Sequence, residues 1–258
     1  MKFYSGNDEH EKEKTLYFGL EVEAEFTCLD ERNSYLSDLA FHAGGTKHDL
    51  HKICVPQDDC SLDMERSVEL VFQPHDYEAL KARFESMPFP QSYDLSEHDE
   101  AGVHVNMSRY AYEDNTWSKF IRFINLNESQ WSTWSGRRSN SYQYYRHHML
   151  SDSLPTNKYN CVNVNHGRVE VRTFLTVFNP TTLLFYVKLC KDLIEFCDLI
   201  SDTHFRSLED SGLLLASFEY YRNRGLYPIP GQNSAFEVVS ARIEIENIKN
   251  LEGSELCV

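Results

Sequence analysis

The chain has 258 residues, of which 40 are acidic and 25 are basic, so its formal net charge at pH 7 is −15. This balance argues against a general binder of the nucleic-acid backbone, because such proteins need a cationic face. Hydrophobic residues make up 41% of the chain and aromatic residues 13%. That content is typical of a folded protein with a large core and not of a disordered chain.

The sequence gives no sign of a membrane segment or of a disulfide framework. No apolar run approaches the ~20 residues that a membrane-spanning helix needs, and the first residues lack the apolar core of a signal peptide. We therefore expect a cytoplasmic protein without a membrane partner. The seven cysteines are odd in number and scattered. A zinc site could be drawn from His48, His51, Cys54 and Cys60, but their spacing fits no common zinc motif, and loop histidines with core cysteines are the simpler interpretation.

Strands and helices alternate along the chain, and they predict a single α+β domain over residues 15–258 behind a flexible arm at 1–14. Strands are predicted where apolar and polar residues alternate: within 16–26, within 60–73 and most clearly at 67–72, over 102–108, and twice within 158–178. Helices are predicted where apolar residues recur every three or four positions: over 34–43, from Asp76 to Met87, along Trp117 to Ile124, after Asn179, and over 213–224.

Four of the predicted strands carry metal-type ligands on one face and apolar residues on the other. These ligands are Glu21, Glu23, Glu25, Glu69, His104, Asn106 and Glu170. Glutamates two residues apart on a strand lie about 7 Å apart, so they repel each other unless a cation lies between them. Carboxylate oxygens are the ligands that Mg²⁺ and Mn²⁺ favour, and both ions also accept a histidine.

The last predicted strand places Arg168, Glu170, Arg172 and Phe174 on one face, opposite its valines. Arginines beside a metal-type glutamate indicate a phosphate or carboxylate ligand, because the planar guanidinium group binds two oxygens at once. An antiparallel sheet with one solvated face would show the same alternation, and for any single strand that is the simpler interpretation. The joint pattern across four strands favours a site.

Five segments in this order resemble the amidoligase family, the carboxylate–amine ligases of the glutamine synthetase and glutamate–cysteine ligase superfamily. The segments are FGLEVEAEF, DCSLDMERSVELVFQP, AGVHVNMS, KYNCVNVN and GRVEVRTF, followed by a long helix. The resemblance covers roughly residues 15–200. It implies a curved antiparallel sheet of the glutamine synthetase type, which holds ATP and Mg²⁺ or Mn²⁺ and has helices packed on its outer face.

The resemblance also implies roles for individual residues. The implied metal ligands are Glu21, Glu23, Glu69, His104 and Glu170. Arg172 would stabilise the transferring phosphoryl group, and a free carboxylate such as Glu25 or Asp59 would accept the proton of the amine. Candidates for binding the phosphates of ATP are Arg137, Arg138, Lys158 and Arg168, and solvated surface charges are the alternative for the first three. Asn106 departs from the family, which has a second histidine there.

The implied function is ATP- and Mg²⁺-dependent ligation of a small-molecule or peptide carboxylate to an amine through an acyl phosphate, on amino-acid or peptide substrates. Two alternatives stay open. One is a metal-dependent phosphoester hydrolase that uses the same carboxylates. The other is a ligase-like binding or inhibitory protein without activity, which the change to Asn106 would favour. A doubly wound nucleotide-binding fold lacks support, because the sequence has no glycine-rich phosphate loop.

Overall fold

A computed structural model of the chain describes residues 15–46, 50–51, 53–57, 62, 65–86, 101–137, 145, 150, 153–157, 159–165 and 167–224. In this part of the chain, six strands and seven α-helices are present. The strands are β1 (Phe18–Glu25), β2 (Cys54–Gln57), β3 (Ser67–Phe72), β4 (Gly102–Ser108), β5 (Val162–Asn165) and β6 (Arg168–Leu175). The helices are α1 (Leu29–His42), α2 (Tyr77–Ser86), α3 (Asp114–Leu126), α4 (Glu128–Ser135), α5 (Pro180–Leu199), α6 (Asp202–Asp210) and α7 (Leu214–Arg224). The predicted arm at 1–14 lies outside the described residues.

All six strands belong to one antiparallel sheet in the order β2-β3-β1-β4-β6-β5. The strands predicted from alternation are confirmed. β2 was not predicted, because it has only four residues and contains Pro56, a residue that edge strands tolerate since one side of the strand needs no donor. None of the helices among the described residues is long and apolar enough to cross a membrane.

One face of the sheet is apolar and carries the helices. Leu20, Val22 and Ala24 of β1 are fully buried on this face, as their alternation predicts. Helix α5 begins where the sequence predicted, since the side chain of Asn179 accepts hydrogen bonds from the backbone N–H groups of Thr181 and Thr182. The start of α1, by contrast, lies at residue 29 and not at 34.

Four of the five cysteines in the described residues are buried, as the simpler interpretation expects for core cysteines, and Cys28 is exposed. Cys54 is buried on β2, directly opposite Phe72, and Cys190 and Cys197 are buried on α5. Of the four residues weighed for zinc, Cys54 is a core residue and His51 lies three residues before it, whereas His48 and Cys60 lie outside the described residues.

A bulge in β6 changes the faces of its last residues. Asn106 lies opposite Glu170 and Val105 opposite Val171, but Val103 lies opposite Phe174, so two residues of β6 lie across from the single residue His104. The extra residue shifts the alternation by one position. Phe174 therefore turns to the helix side, where its ring stacks on Tyr186 with centroids 4.4 Å apart. The prediction that Phe174 shares a face with Arg168, Glu170 and Arg172 is wrong.

Candidate functional site

The second face of the sheet, here named the polar face, brings the predicted ligands together. Its residues are Glu21, Glu23, Glu25, Glu69, His104, Asn106, Asn163, Arg168, Glu170 and Arg172. The sheet register explains this grouping, because Glu21 lies opposite His104 and Glu23 lies opposite Glu69. Cross-strand neighbours of this kind hold their Cβ atoms about 5 Å apart, so their side chains can meet.

His104 lies at the centre of three glutamates. Its Nδ1 atom is 3.2 Å from Glu21 Oε2 and 3.4 Å from Glu170 Oε1, and its Nε2 atom is 3.4 Å from Glu23 Oε1. One ligand atom from each of Glu21, His104 and Glu170 lies within 4.8 Å of the other two. Three adjacent strands, β1, β4 and β6, thus contribute to a group that could hold a metal ion.

Two arginines neutralise the carboxylates of this group. Arg168 Nη1 is 2.9 Å from Glu21 Oε1, and Arg172 Nη1 is 2.9 Å from Glu170 Oε1. The sequence argument expected a cation between the glutamates, and the described residues place side-chain cations there. His104, Arg168 and Arg172 supply the positive charge from the protein itself, so this face can form without metal.

The protonation states follow from these contacts. Burial raises the pKa of Glu21, but the hydrogen bond and charge of His104 and then the charge of Arg168 outweigh burial and lower this pKa to about 2. Burial lowers the pKa of His104, but the charge of Glu23 and the hydrogen bond to Glu21 outweigh it, and the pKa rises above its usual value. Both pKa shifts favour the charged forms of the pair, a protonated His104 beside an ionised Glu21.

Glu23 is held by the backbone of β4. Its Oε2 atom accepts a hydrogen bond of 3.1 Å from the N–H group of Gly102. The guanidinium group of Arg137 covers the same glycine and donates from Nη1 to the carbonyl oxygen of Arg172 at 3.4 Å. A Cβ atom at position 102 would collide with Arg137 Nη1 and would lie 2.9 Å from Cζ. The close approach of Arg137 to the sheet therefore requires a glycine here.

Two predicted residues of the polar face are not among the three whose ligand atoms converge. Glu25 is buried, and its Oε1 atom forms an ion pair of 3.0 Å with Arg66. It is therefore not the free carboxylate that the sequence suggested for accepting a proton. Glu69 is the cross-strand neighbour of Glu23 on β3 but is not one of the three residues whose ligand atoms converge.

The structure adds Asn163, which the sequence argument did not select. Asn163 lies on β5 opposite Glu170, and its Nδ2 atom donates a hydrogen bond of 2.9 Å to Glu170 Oε2. Asn163 could have been predicted from two features of the sequence: the alternation in VNVN and the short hairpin turn that leads to the strand of Glu170. Three other predicted residues, Asp59, Arg138 and Lys158, lie outside the described residues.

No protein-family model and no curated protein sequence matches this chain. What the polar face does must therefore be inferred from its own geometry.

Proposed function

We propose that the chain is an ATP- and Mg²⁺-dependent carboxylate–amine ligase with a sheet of the glutamine synthetase type, which forms an amide or peptide bond through an acyl phosphate. One observation carries the proposal: the ligand atoms of Glu21, His104 and Glu170 converge within 4.8 Å on three adjacent strands. Arg168 and Arg172 lie on the carboxylates of that group. A metal-type cluster bordered by guanidinium groups suits a nucleotide, whose phosphates need both.

The donor set of this cluster fits Mg²⁺ or Mn²⁺. Glu21 and Glu170 offer carboxylate oxygens, and His104 offers one ring nitrogen once it has lost a proton to solvent. Zinc sites in proteins usually take more nitrogen or sulfur ligands. The buried Oδ1 atom of Asn106 accepts no hydrogen bond from any described group, so a further oxygen is available nearby. When bound, the ion would neutralise charge on the phosphates of ATP.

The arginines of the polar face would orient the phosphates. Arg172 Nε is buried without a hydrogen-bond partner among the described residues, so this donor is available to a phosphate oxygen. Arg137 is close to Arg172, because its Nη1 atom donates to the carbonyl oxygen of residue 172. Arg168 lies earlier on the same strand, β6. A planar guanidinium group binds two oxygens at once and stabilises charge on a phosphoryl group during transfer.

The proposed reaction has two steps. An oxygen of the substrate carboxylate attacks the γ-phosphorus of ATP, the bond to the β-phosphate oxygen breaks, and ADP leaves. The amine nitrogen then forms a bond to the acyl carbon, and inorganic phosphate leaves with the electron pair of the C–O bond. The nitrogen loses one proton to a general base, for which Asp59 remains the proposed residue because Glu25 is occupied by Arg66.

One observation favours a second candidate, a ligase-like binding or inhibitory protein without activity. The three glutamates are already neutralised by His104, Arg168 and Arg172. A network of this kind can persist as a structural ion cluster that never takes up metal. Metal binding is therefore a necessary test of the ligase proposal, and ADP release separates the two candidates if metal and nucleotide bind.

Titration calorimetry with Mn²⁺, with and without a non-hydrolysable ATP analogue, tests the ligase proposal first. We expect the wild-type protein to bind Mn²⁺ and the analogue together, and Glu170→Gln to lose most of the Mn²⁺ affinity. Glu113→Gln is the matched control, because Glu113 is exposed just before α3 and lies on no strand of the polar face. An absence of Mn²⁺ binding to the wild-type protein would refute the proposal.

ADP release is the second measurement. Hydroxylamine serves as a general amine, and amino acids and dipeptides serve as carboxylate substrates. A ligase releases ADP with a carboxylate and an amine present and forms a hydroxamate. Mn²⁺ and nucleotide binding without any ADP release across the panel would instead support the non-catalytic candidate.

A further inference from the structure

Asn163 holds one oxygen of Glu170 from the neighbouring strand. It lies on β5 directly opposite Glu170, and its Nδ2 atom donates a hydrogen bond of 2.9 Å to Glu170 Oε2. Both residues are buried, with exposed fractions of 2% and 1%, so water competes little for this bond. Arg168 Nη2 lies 3.9 Å from the same oxygen, which is too far for a hydrogen bond. The contact between Asn163 and Oε2 is therefore short and shielded from solvent.

The other oxygen of Glu170 faces the metal-type group, which consists of Glu21, His104 and Glu170. Oε1 lies 3.4 Å from His104 Nδ1 and 2.9 Å from Arg172 Nη1. An ion that entered beside His104 would change the contacts of Oε1, whereas the contact of Oε2 with Asn163 can stay unchanged. The terminal torsion of a glutamate is broad when nothing holds it. The hydrogen bond to Oε2 therefore sets the direction in which Oε1 points when an ion is bound.

The backbone that carries Asn163 is itself held in place on both sides. Its neighbours Val162 and Val164 are each 1% exposed and pair with Val171 and Val169 of β6. These buried pairs fix the register of β5 against β6, because a slip by one residue would turn the valines out of the core. A short side chain on a paired strand can hold a ligand residue within the narrow limits that a metal site needs.

The packing of the sheet alone does not explain an asparagine at this position. The Oδ1 atom of Asn163 is buried and accepts no hydrogen bond from any described group. An unsatisfied buried acceptor lowers stability, and a β-branched apolar residue such as valine suits a buried strand better. What asparagine supplies here is the hydrogen bond to Glu170.

We propose that Asn163 is a positioning residue that fixes the direction of the Glu170 carboxylate and thereby favours Mg²⁺ over Ca²⁺ at the metal-type group. This inference rests on the proposed ligase function. Residues that hydrogen-bond a ligating carboxylate orient it for the metal. Mg²⁺ demands a near-ideal octahedral arrangement of its ligands, whereas Ca²⁺ accepts flexible ones. A Glu170 carboxylate that is free to turn therefore weakens Mg²⁺ binding more than Ca²⁺ binding.

The test measures the affinities of the wild-type protein and Asn163→Leu for both ions. Leucine is close to asparagine in size but has no donor for Glu170 Oε2. Free Mn²⁺, followed by electron paramagnetic resonance without nucleotide, reports metal binding, and Mg²⁺ or Ca²⁺ added as a competitor gives the affinity for each ion. We expect Asn163→Leu to bind Mg²⁺ about 10- to 100-fold more weakly. The loss for Ca²⁺ should be smaller, so that the preference for Mg²⁺ falls.

The matched control is Asn165→Leu, which changes an exposed asparagine at the end of β5 that lies opposite Arg168 and not Glu170. It should leave both affinities unaltered. Unchanged Mg²⁺ binding by Asn163→Leu would overturn the proposal. Equal losses for Mg²⁺ and Ca²⁺ would overturn it too, because a general disturbance of the site affects both ions alike.

A measurement on the wild-type protein keeps the proposal testable if Asn163→Leu does not fold. NMR can follow the side-chain amide protons of Asn163, with those of the exposed Asn165 as an internal reference for fast exchange with solvent. We expect the Asn163 protons to exchange slowly both without metal and at saturating Mg²⁺, because the bond to Glu170 Oε2 persists. Fast exchange in the Mg²⁺-bound protein would overturn the proposal, since Asn163 would then have released Glu170.

Failure of this proposal is distinguishable from failure of the ligase proposal. A protein that binds Mn²⁺ and nucleotide and releases ADP, but whose Mg²⁺ affinity is unaffected by Asn163→Leu, would keep the ligase function and lose the role of Asn163. A selectivity for Mg²⁺ that depends on Asn163, without ADP release, would keep that role and lose the ligase function. An absence of metal binding to the wild-type protein would overturn both.

Discussion

The packing of Arg137 on Gly102 makes the substitution Gly102→Ala a sharp test of the polar face. The added Cβ atom would collide with the guanidinium group and would lie 3.2 Å from the carbonyl oxygen of Phe174. Arg137 is buried, so its guanidinium group must leave its position and lose the hydrogen bond to the carbonyl oxygen of Arg172.

The magnitude of the effect follows from these contacts. A hydrogen bond to a charged group contributes about 2 kcal/mol, and replacing glycine by alanine in a compatible conformation returns about 0.4–1 kcal/mol. We expect Gly102→Ala to lower the free energy of unfolding by about 1–2 kcal/mol in the otherwise wild-type protein. In the Arg137→Ala background nothing flexible remains to be displaced, and the cost should fall close to zero.

Urea unfolding, followed by tryptophan fluorescence, measures all four proteins of this double-mutant cycle. Gly19→Ala is the matched control, because its Cβ atom meets only ordinary contacts, and it should be neutral or slightly stabilising. An equal cost of Gly102→Ala in both backgrounds would refute the reasoning, since the clash would then be with the backbone at Phe174. A neutral effect in the wild-type background would refute the placement of Arg137.

Glu23→Gln keeps the acceptor for Gly102 N–H but removes the charge that faces His104. In urea titrations, the metal-free variant should therefore lose about 1–2 kcal/mol of unfolding free energy. The control variant Glu113→Gln should lose none. For Glu21, whose pKa is lowered from 4.5 to about 2, the stabilising contribution is present above pH 4.5 and is lost as pH falls toward 2. For His104, whose pKa is raised above 6.5, the stabilising contribution of the charged ring is present below pH 6.5 and is lost as pH rises through the folded-state pKa. Chemical denaturation of the metal-free protein should therefore find a stability maximum between pH 4.5 and 6.5, and Glu21→Gln should flatten the acid limb. Arg172→Lys should fold normally and bind the ATP analogue at least tenfold more weakly by calorimetry, because a point charge does not replace a bidentate guanidinium group. If Arg172→Lys does not fold, Arg172 is instead the partner in a structural ion pair.

Much of the sheet could be predicted because alternation reports directly on which face of a strand is buried. β1 is the clearest case, since Leu20, Val22 and Ala24 alternate with glutamates and are fully buried. The same rule could not foresee the bulge in β6. A strict two-residue count runs through the extra residue opposite His104, and the rule therefore placed Phe174 on the wrong face.

The membership of the candidate site was also only partly predictable. Alternation identifies the residues that share a face, and it correctly grouped Glu21, His104 and Glu170. It does not specify register between strands, so it could not show that Glu69 lies outside the converging group. Nor could it show that Arg66 reaches Glu25 from outside the strand, because such ion pairs depend on how a loop turns toward the sheet.

The strand order has a consequence for how the protein is made. The neighbours β1, β4 and β6 are far apart in the chain, and the contact between Glu21 and Arg168 spans 147 residues. During synthesis the carboxylates of β1 emerge long before the strand that completes their surroundings, and pairings of such long range form late in folding. The metal-type group is therefore incomplete while the chain is being synthesised, and metal ions can meet only separate glutamates at that stage. Since the protein carries its own cations to this face, the sheet can close first, and any ion would have to be taken up by a finished fold.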